Sequence, residues 1–381
     1  MNRREPAPER PEGARVVFID LARALAVLLM IVGHTGSALL AGEFRTGTWY
    51  DVWVFQRGLT SALFLLLAGF AFSVATTRHW PANLHLSRAV LKRVRRFALF
   101  IVLGYALHFP VDPLAALATA TEQQWRSFLA VDVLQLIGVT FIVVQALVLA
   151  ARTGRVFMAA AFGLAGAVIL AAPAAWSIDW EQILPLAIAS YLSPSTGSQF
   201  PFVPWAAFVL IGAGAGQLYA RWGAGHLAAF ANRGMLAPGA VLIAVALSMH
   251  ALPFPLFAGP WRWVPGEVLF RTGACFVILG LVAHASRHIA QLPRVLGAVA
   301  QRSLLIYFVH LCVVYGSIWN AGLYQFYGEA LTPGATVVTV VAVVAAMTAL
   351  AWLWNWLKHA RPRTARWVSF AVGVALVGLL I

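Results

Sequence analysis

Asp20, Arg23 and His34 stand inside a stretch, Phe18 to Leu40, that is otherwise apolar enough to cross a bilayer. A membrane helix needs about 20 apolar residues, and an ionisable group within one is disfavoured by at least ~2.5 kcal/mol, so such groups face protein or water. At about 3.6 residues per turn, Arg23 and His34 lie on one face, roughly 16 Å apart along the axis. Asp20 and Arg23 are spaced i, i+3 and can pair. His34 then has no partner on its own helix and needs one from another. An imidazole, which titrates near neutrality, can take the proton of a hydroxyl or amine as that group attacks an activated carbonyl. The alternatives are a histidine hydrogen-bonded only for packing, and an Asp20/Arg23 pair that only fixes the helix.

Other residues carry chemistry at helical spacing. Asp132 and Gln135 share a face one turn apart, and Asp132 is the expected partner that fixes the tautomer of His34. The same carboxylate also suits a helix N-cap. Tyr307 and His310 form a second i, i+3 pair within an apolar run and are expected to line the site or to pack the bundle. Trp205, after Pro204, can stack on a substrate or sit as an interfacial aromatic. Segment 84 to 97 sets Leu86, Val90, Val94 and Phe97 opposite Arg88, Lys92, Arg95 and Arg96. That pattern reads as an amphipathic helix on the inner surface, whose guanidinium groups meet lipid headgroups or the phosphates of a cofactor. No metal is expected.

The elements that must position these residues are membrane helices. Of 381 residues, 61% are hydrophobic and only 10% charged, which excludes an ordinary soluble chain. The net charge of +14 is scattered between apolar segments, so it marks membrane topology and not a nucleic-acid partner. Cys275 and Cys312 fall in apolar runs and imply no disulfide framework.

The fold class expected is all-α, a polytopic bundle of about 10 to 11 transmembrane helices. They are Phe18 to Leu40, Thr60 to Thr77, Phe97 to before Pro110, Val131 to Ala151, Val156 to Trp176, Phe202 to Tyr219, Met235 to Leu252, Glu267 to Ser286, Ser303 to Asn320, Ala335 to Leu357 and Trp367 to Ile381. A polar tail, residues 1 to 15, precedes one membrane domain, residues 16 to 381. Most of the 27 Lys and Arg fall on segments that this alternation places inside, against Arg45, Arg57, Arg126, Arg262 and Arg271 outside. The positive-inside rule therefore predicts a cytoplasmic N-terminus and a multi-pass protein of the inner (plasma) membrane.

Several blocks resemble a known superfamily, the transmembrane acyltransferases. Arg23 and His34 fit the R-x10-H signature of the acyltransferase-3 family. The run IDLARALAVLLMIVGH looks still more like the heparan-α-glucosaminide N-acetyltransferase-like membrane proteins. LFLLLAGFAFS (63 to 73), DVLQLIGVTFIVVQAL (132 to 147), FPFVPWAAFVLIGAGAGQ (200 to 217) and SLLIYFVHL (303 to 311) are similar to further blocks of that group, in the same order. Ala24 departs from the Gly common there, and GTWYDVWVFQRG lacks the His and the Trp-Asn-Gly motif of the eukaryotic lysosomal enzyme.

The resemblance implies transfer of an acyl group, acetyl from acetyl-CoA at the cytoplasmic side, to a hydroxyl or amine of a sugar or cell-envelope glycan. His34 then acts as general base or acyl relay, with Asp132 as its partner. Arg23, Arg95 and Arg96 hold the cofactor, and Gln135, Trp205, Tyr307 and His310 contact the substrate. The separation of Arg23 from His34 matches an extended pantetheine arm, so both are expected to face one passage. A homo-oligomer is left open. A transporter or flippase using the same ionisable groups as a proton relay is the other class, though no paired Gly or Pro interruptions support it.

Overall fold

The computed structural model describes residues 16 to 109, 114 to 251 and 260 to 378. Residues 1 to 15, 110 to 113, 252 to 259 and 379 to 381 lie outside them. Among the described residues there is no β-strand, and the chain is a multi-pass bundle of helices.

In chain order these are α1 (Val17–Leu39), α2 (Thr48–Thr77), α3 (Arg88–Leu107), α4 (Glu122–Leu129), α5 (Val133–Ala151) and α6 (Gly154–Ser177). The single turn α7 (Leu186–Ala189), α8 (Phe202–Leu218), α9 (Leu227–Ala229), α10 (Ala237–Ala251) and α11 (Pro260–Ser286) follow. The chain closes with α12 (Arg294–Gln301), α13 (Ser303–Tyr315), α14 (Leu323–Tyr327), α15 (Pro333–Ala360) and α16 (Pro362–Gly378).

Eight spans among the described residues are long and apolar enough to cross a bilayer, or nine if α12 and α13, bent by 79°, form one. The sequence suggested ten to eleven. The difference lies in α3, whose first half carries five basic residues, and α16, which opens with Arg363 and Arg366 and is described as far as Gly378.

Three boundaries also move. α2 starts twelve residues before Thr60, because Trp49, Tyr50, Trp53 and Arg57 continue the helix while interrupting its hydropathy. The amphipathic segment is not a separate surface helix. It runs without a break into α3, capped by Ser87 and packed on α5. The run expected to reach Asn320 stops at Tyr315, where Gly316 takes φ 81°.

α1 is central and packs against α2, α11, α12, α13 and α15. The most extensive helix pair is α2 with α8, and small residues explain it. A Cβ placed on Gly69 would lie 1.9 Å from the Val209 carbonyl oxygen, and one on Gly212 would lie 2.0 Å from that of Leu66. Only glycine allows backbones so close, and between membrane helices such packing replaces the hydrophobic drive. The block LFLLLAGFAFS and the second half of the block FPFVPWAAFVLIGAGAGQ are the two sides of this contact. The outward face of α15 exposes Val337, Val338, Val341, Trp352, Leu353 and Trp356, an apolar surface that suits acyl chains.

At the end of the bundle near the start of α3, Arg93 donates to Asn83 Oδ1 (2.5 Å) and Thr76 Oγ1 (2.7 Å) and lies over Phe72, fastening α3 to α2. At the other end, Leu331 donates its N–H to the Leu39 carbonyl and accepts from Ala41 N–H, both at 2.9 Å, and Arg45 pairs with Glu329 at 3.2 Å.

Candidate functional site

A cavity of about 630 Å³ opens toward the end of the bundle where α1 terminates. Its wall includes Met30, Gly33 and His34 of α1, Arg57, Thr60 and Ser61 of α2, and His108 and Asp132 at the ends of α3 and α5. Arg271 of α11 and Tyr307 and Tyr315 of α13 complete it.

His34 is the best-defined group in it. Its Nδ1 lies 2.9 Å from Nε2 of His310, and the two rings are nearly parallel, with centroids 5.1 Å apart. His310 is fully buried behind the wall, and its Nδ1 lies 2.8 Å from the carbonyl oxygen of Ile306. A carbonyl only accepts, so His310 Nδ1 carries the proton, and in the neutral ring Nε2 is the acceptor. His34 Nδ1 must then donate. The remaining lone pair of His34 is on Nε2, in a ring that lines the cavity. Tyr315 fixes the backbone here by donating to the His34 carbonyl at 3.3 Å, with its ring edge-on to the imidazole.

Asp132 lines the same cavity but is not the partner of His34. It caps α5, accepting from Val133 N–H at 2.6 Å, and its other oxygen lies 3.9 Å from His108 Nε2. The expected carboxylate-to-imidazole relation therefore involves a different histidine, because Asp132 sits where α5 begins, beside the end of α3. His108 Nδ1 approaches the Gly104 carbonyl at 3.2 Å, which leaves Nε2 toward the carboxylate.

Gln135, expected beside Asp132, is one turn deeper and fully buried, and it does not line the cavity. Its amide presses on Gly104 of α3, where a Cβ would come within 2.3 Å, and has no hydrogen-bond partner among the described residues. Tyr307 lines the wall and stacks on Phe64. Trp205 stands one layer behind, between Phe200 and the guanidinium of Arg271, at 4.7 and 5.6 Å. The residue before Pro204, Val203, has extended dihedrals, and its freed carbonyl accepts from Trp176 Nε1 at 3.0 Å.

Arg23 is elsewhere. It pairs with Asp20 at 3.3 Å, as the i, i+3 spacing predicts, and lines a second cavity of about 140 Å³ with Ile19, Ala71, Val74 and Arg78. No residue lines both cavities, and Ala24, Ala26 and Val27 between them are buried. The single passage expected to hold both Arg23 and His34 is divided by this apolar layer. Arg95 and Arg96 are exposed on α3, at the end of the bundle where Arg93 meets Thr76, and neither lines the smaller cavity.

Sequence reasoning passed over Arg57, His108, Arg271 and Tyr315. Both arginines fall among the outside charges; Arg271 interrupts an apolar helix, the same signal that singles out His34, whereas Arg57 stands beside Asp51 and Gln56, where the apolar run is broken.

The family model described as heparan-alpha-glucosaminide N-acetyltransferase, catalytic, matches residues 15–260. That span contains α1 with His34, α2 with Arg57, and Asp132, and ends before Arg271, Tyr307 and His310. No curated protein matches the chain. The R-x10-H likeness to the acyltransferase-3 family is carried by Arg23 and His34 alone.

Proposed function

The chain belongs to the heparan-alpha-glucosaminide N-acetyltransferase catalytic family, and from that premise we propose that it moves an acetyl group from acetyl-CoA to a hydroxyl or amine of a sugar or cell-envelope glycan, with His34 as the base. The observation that carries this reading is the His34 to His310 bond at the wall of a cavity large enough for a sugar.

In the reaction, the acceptor oxygen or nitrogen attacks the thioester carbonyl while its proton passes to His34 Nε2. The new C–O or C–N bond forms, the C–S bond breaks, and the thiolate leaves with the proton from the imidazolium. The charge that develops on His34 is shared with His310 through the Nδ1–H to Nε2 bond, which also holds the tautomer, the role a carboxylate plays in hydrolase triads. Tyr307 contacts the acceptor from the same wall.

The same lone pair can instead take the acetyl group first, as an acyl relay. Acetyl-His34 trapped without an acceptor would favour that order.

Arg95 and Arg96, with Arg23 in the small cavity, are assigned to the phosphates of the donor on the cytoplasmic side of an inner membrane. A donor held there reaches His34 only when the layer of Ala24, Ala26 and Val27 parts. The positive-inside pattern supports this orientation.

The test is to incubate purified protein with acetyl-CoA and a sugar acceptor and follow free CoA thiol. Acceptor-dependent release supports the reading. Neither release nor CoA binding would turn it toward transport.

A further inference from the structure

Two guanidinium groups line the cavity near His34, and the acyl-transfer steps use neither. Arg57 lies against Gly33, the residue before His34, where an added Cβ would be 3.1 Å from its Cγ. It donates to Ser37 Oγ and lies over Trp53, and no carboxylate pairs with it among the described residues. Arg271 reaches in from α11, held by Glu267 at 2.5 Å, by the Gly58 carbonyl at 3.3 Å and by the face of Trp205. Against these two charges stand Glu267, which pairs with Arg271, and Asp132 on the wall, which is engaged with Val133 N–H and His108, so that Arg57 is the one of the two left without a carboxylate among the described residues. A guanidinium that lines a cavity without a carboxylate partner favours an anionic occupant there.

We infer that the acceptor carries an oxyanion, a phosphate or a carboxylate, close to the atom that is acylated, and that Arg57 and Arg271 bind it. The guanidinium fork matches such groups bidentately. The donor also carries phosphates, but they sit at the far end of a pantetheine arm that, as a chain of amide-like units, spans roughly 15 Å extended. Arg57, on α2, packs against the residue next to His34 and lines the same cavity. With the thioester at His34, an extended donor has its phosphates well away from Arg57, and an anion beside the base belongs to the acceptor. The inference rests on the acyl-transfer reading and names the class of its substrate.

The experiment uses the purified full chain and two probes, glucosamine and glucosamine 6-phosphate, which share an amine and hydroxyls and differ by the phosphate. Calorimetry without donor reads binding alone. Wild type is expected to bind the phosphorylated probe at least tenfold more tightly, Arg57→Gln to lose that preference, and Arg57→Lys, which keeps charge without the fork, to recover part of it. Equal affinity, or binding of neither probe, overturns the inference.

Initial rates then separate the two sources of phosphate. Arg57→Gln is expected to raise the KM for glucosamine 6-phosphate about tenfold and to leave the KM for acetyl-CoA and for phosphate-free acetyl-pantetheine unchanged. A rise for acetyl-CoA but not for acetyl-pantetheine would give Arg57 to the donor and overturn the inference. A wild type that prefers the phosphorylated probe but transfers nothing would remove the acyltransferase reading while leaving the anion site standing.

Discussion

His34 and His310, separated by 276 positions in the chain, meet ring to ring at 2.9 Å, and the carbonyl of Ile306 behind them fixes the direction in which that bond donates. The pair orients a single basic nitrogen into the cavity.

His310 should therefore act on rate through His34. His310→Phe fills the buried space but removes the acceptor for Nδ1–H, and kcat should fall by about 100-fold with both KM values unchanged. His310→Gln, which restores an acceptor oxygen, should recover part of the loss. Steady-state kinetics on detergent-purified protein make the comparison, and equal kcat for all three forms would leave His310 a packing residue.

Asp132 has two roles that a pair of variants separates. Asp132→Asn keeps an oxygen for Val133 N–H and should stay within about 0.5 kcal/mol of wild-type stability, whereas Asp132→Ala should lose about 1 kcal/mol. If the negative charge serves His108 at the cavity wall, both variants lose about tenfold in rate. An Asp132→Asn enzyme of normal rate would reduce Asp132 to a cap.

The α2 to α8 contact should tolerate no side chain at its centre. Gly69→Val would drive a branched side chain into the Val209 carbonyl, and overpacking of this kind costs about 1 to 3 kcal/mol. A thermal-melt assay should show a marked drop, or no folded protein at all. Gly163→Ala in α6 meets nothing within 4 Å and should hold or raise the melting temperature. Equal melting of the two variants would remove the close-contact explanation.

The exposed basic face of α3 gives a test of where the donor's phosphates sit. Arg95→Ala combined with Arg96→Ala should raise the KM for acetyl-CoA several-fold at unchanged membrane abundance. An unaltered KM would assign the face to lipid headgroups.

What could be seen in advance follows from which interactions are local. The Asp20 to Arg23 pair is one helical turn, and the spacing alone predicts it. His34 stood out because an imidazole amid Ile31, Val32 and Leu39 needs a reason. Its partner did not, since any of several polar residues at matching depth, Asp132 among them, satisfied the same requirement. Only the packing of α13 on α1 chooses His310. Arg57 was hidden differently: Trp49, Tyr50, Asp51 and Gln56 break the apolar run around it, so hydropathy started α2 too late and left the arginine in a loop. The layer between the two cavities consists of Ala24, Ala26 and Val27, and small apolar residues on a membrane helix do not announce whether they line a passage or close one.

The role of His34 as the base is read from acceptor-dependent release of CoA thiol from acetyl-CoA by wild type and by His34→Ala, compared at equal yield and equal melting temperature. The variant is expected to fold and insert normally and to turn over at least about 100-fold more slowly, near the buffer rate. A folded His34→Ala protein that still transfers acetyl at the wild-type rate would contradict it.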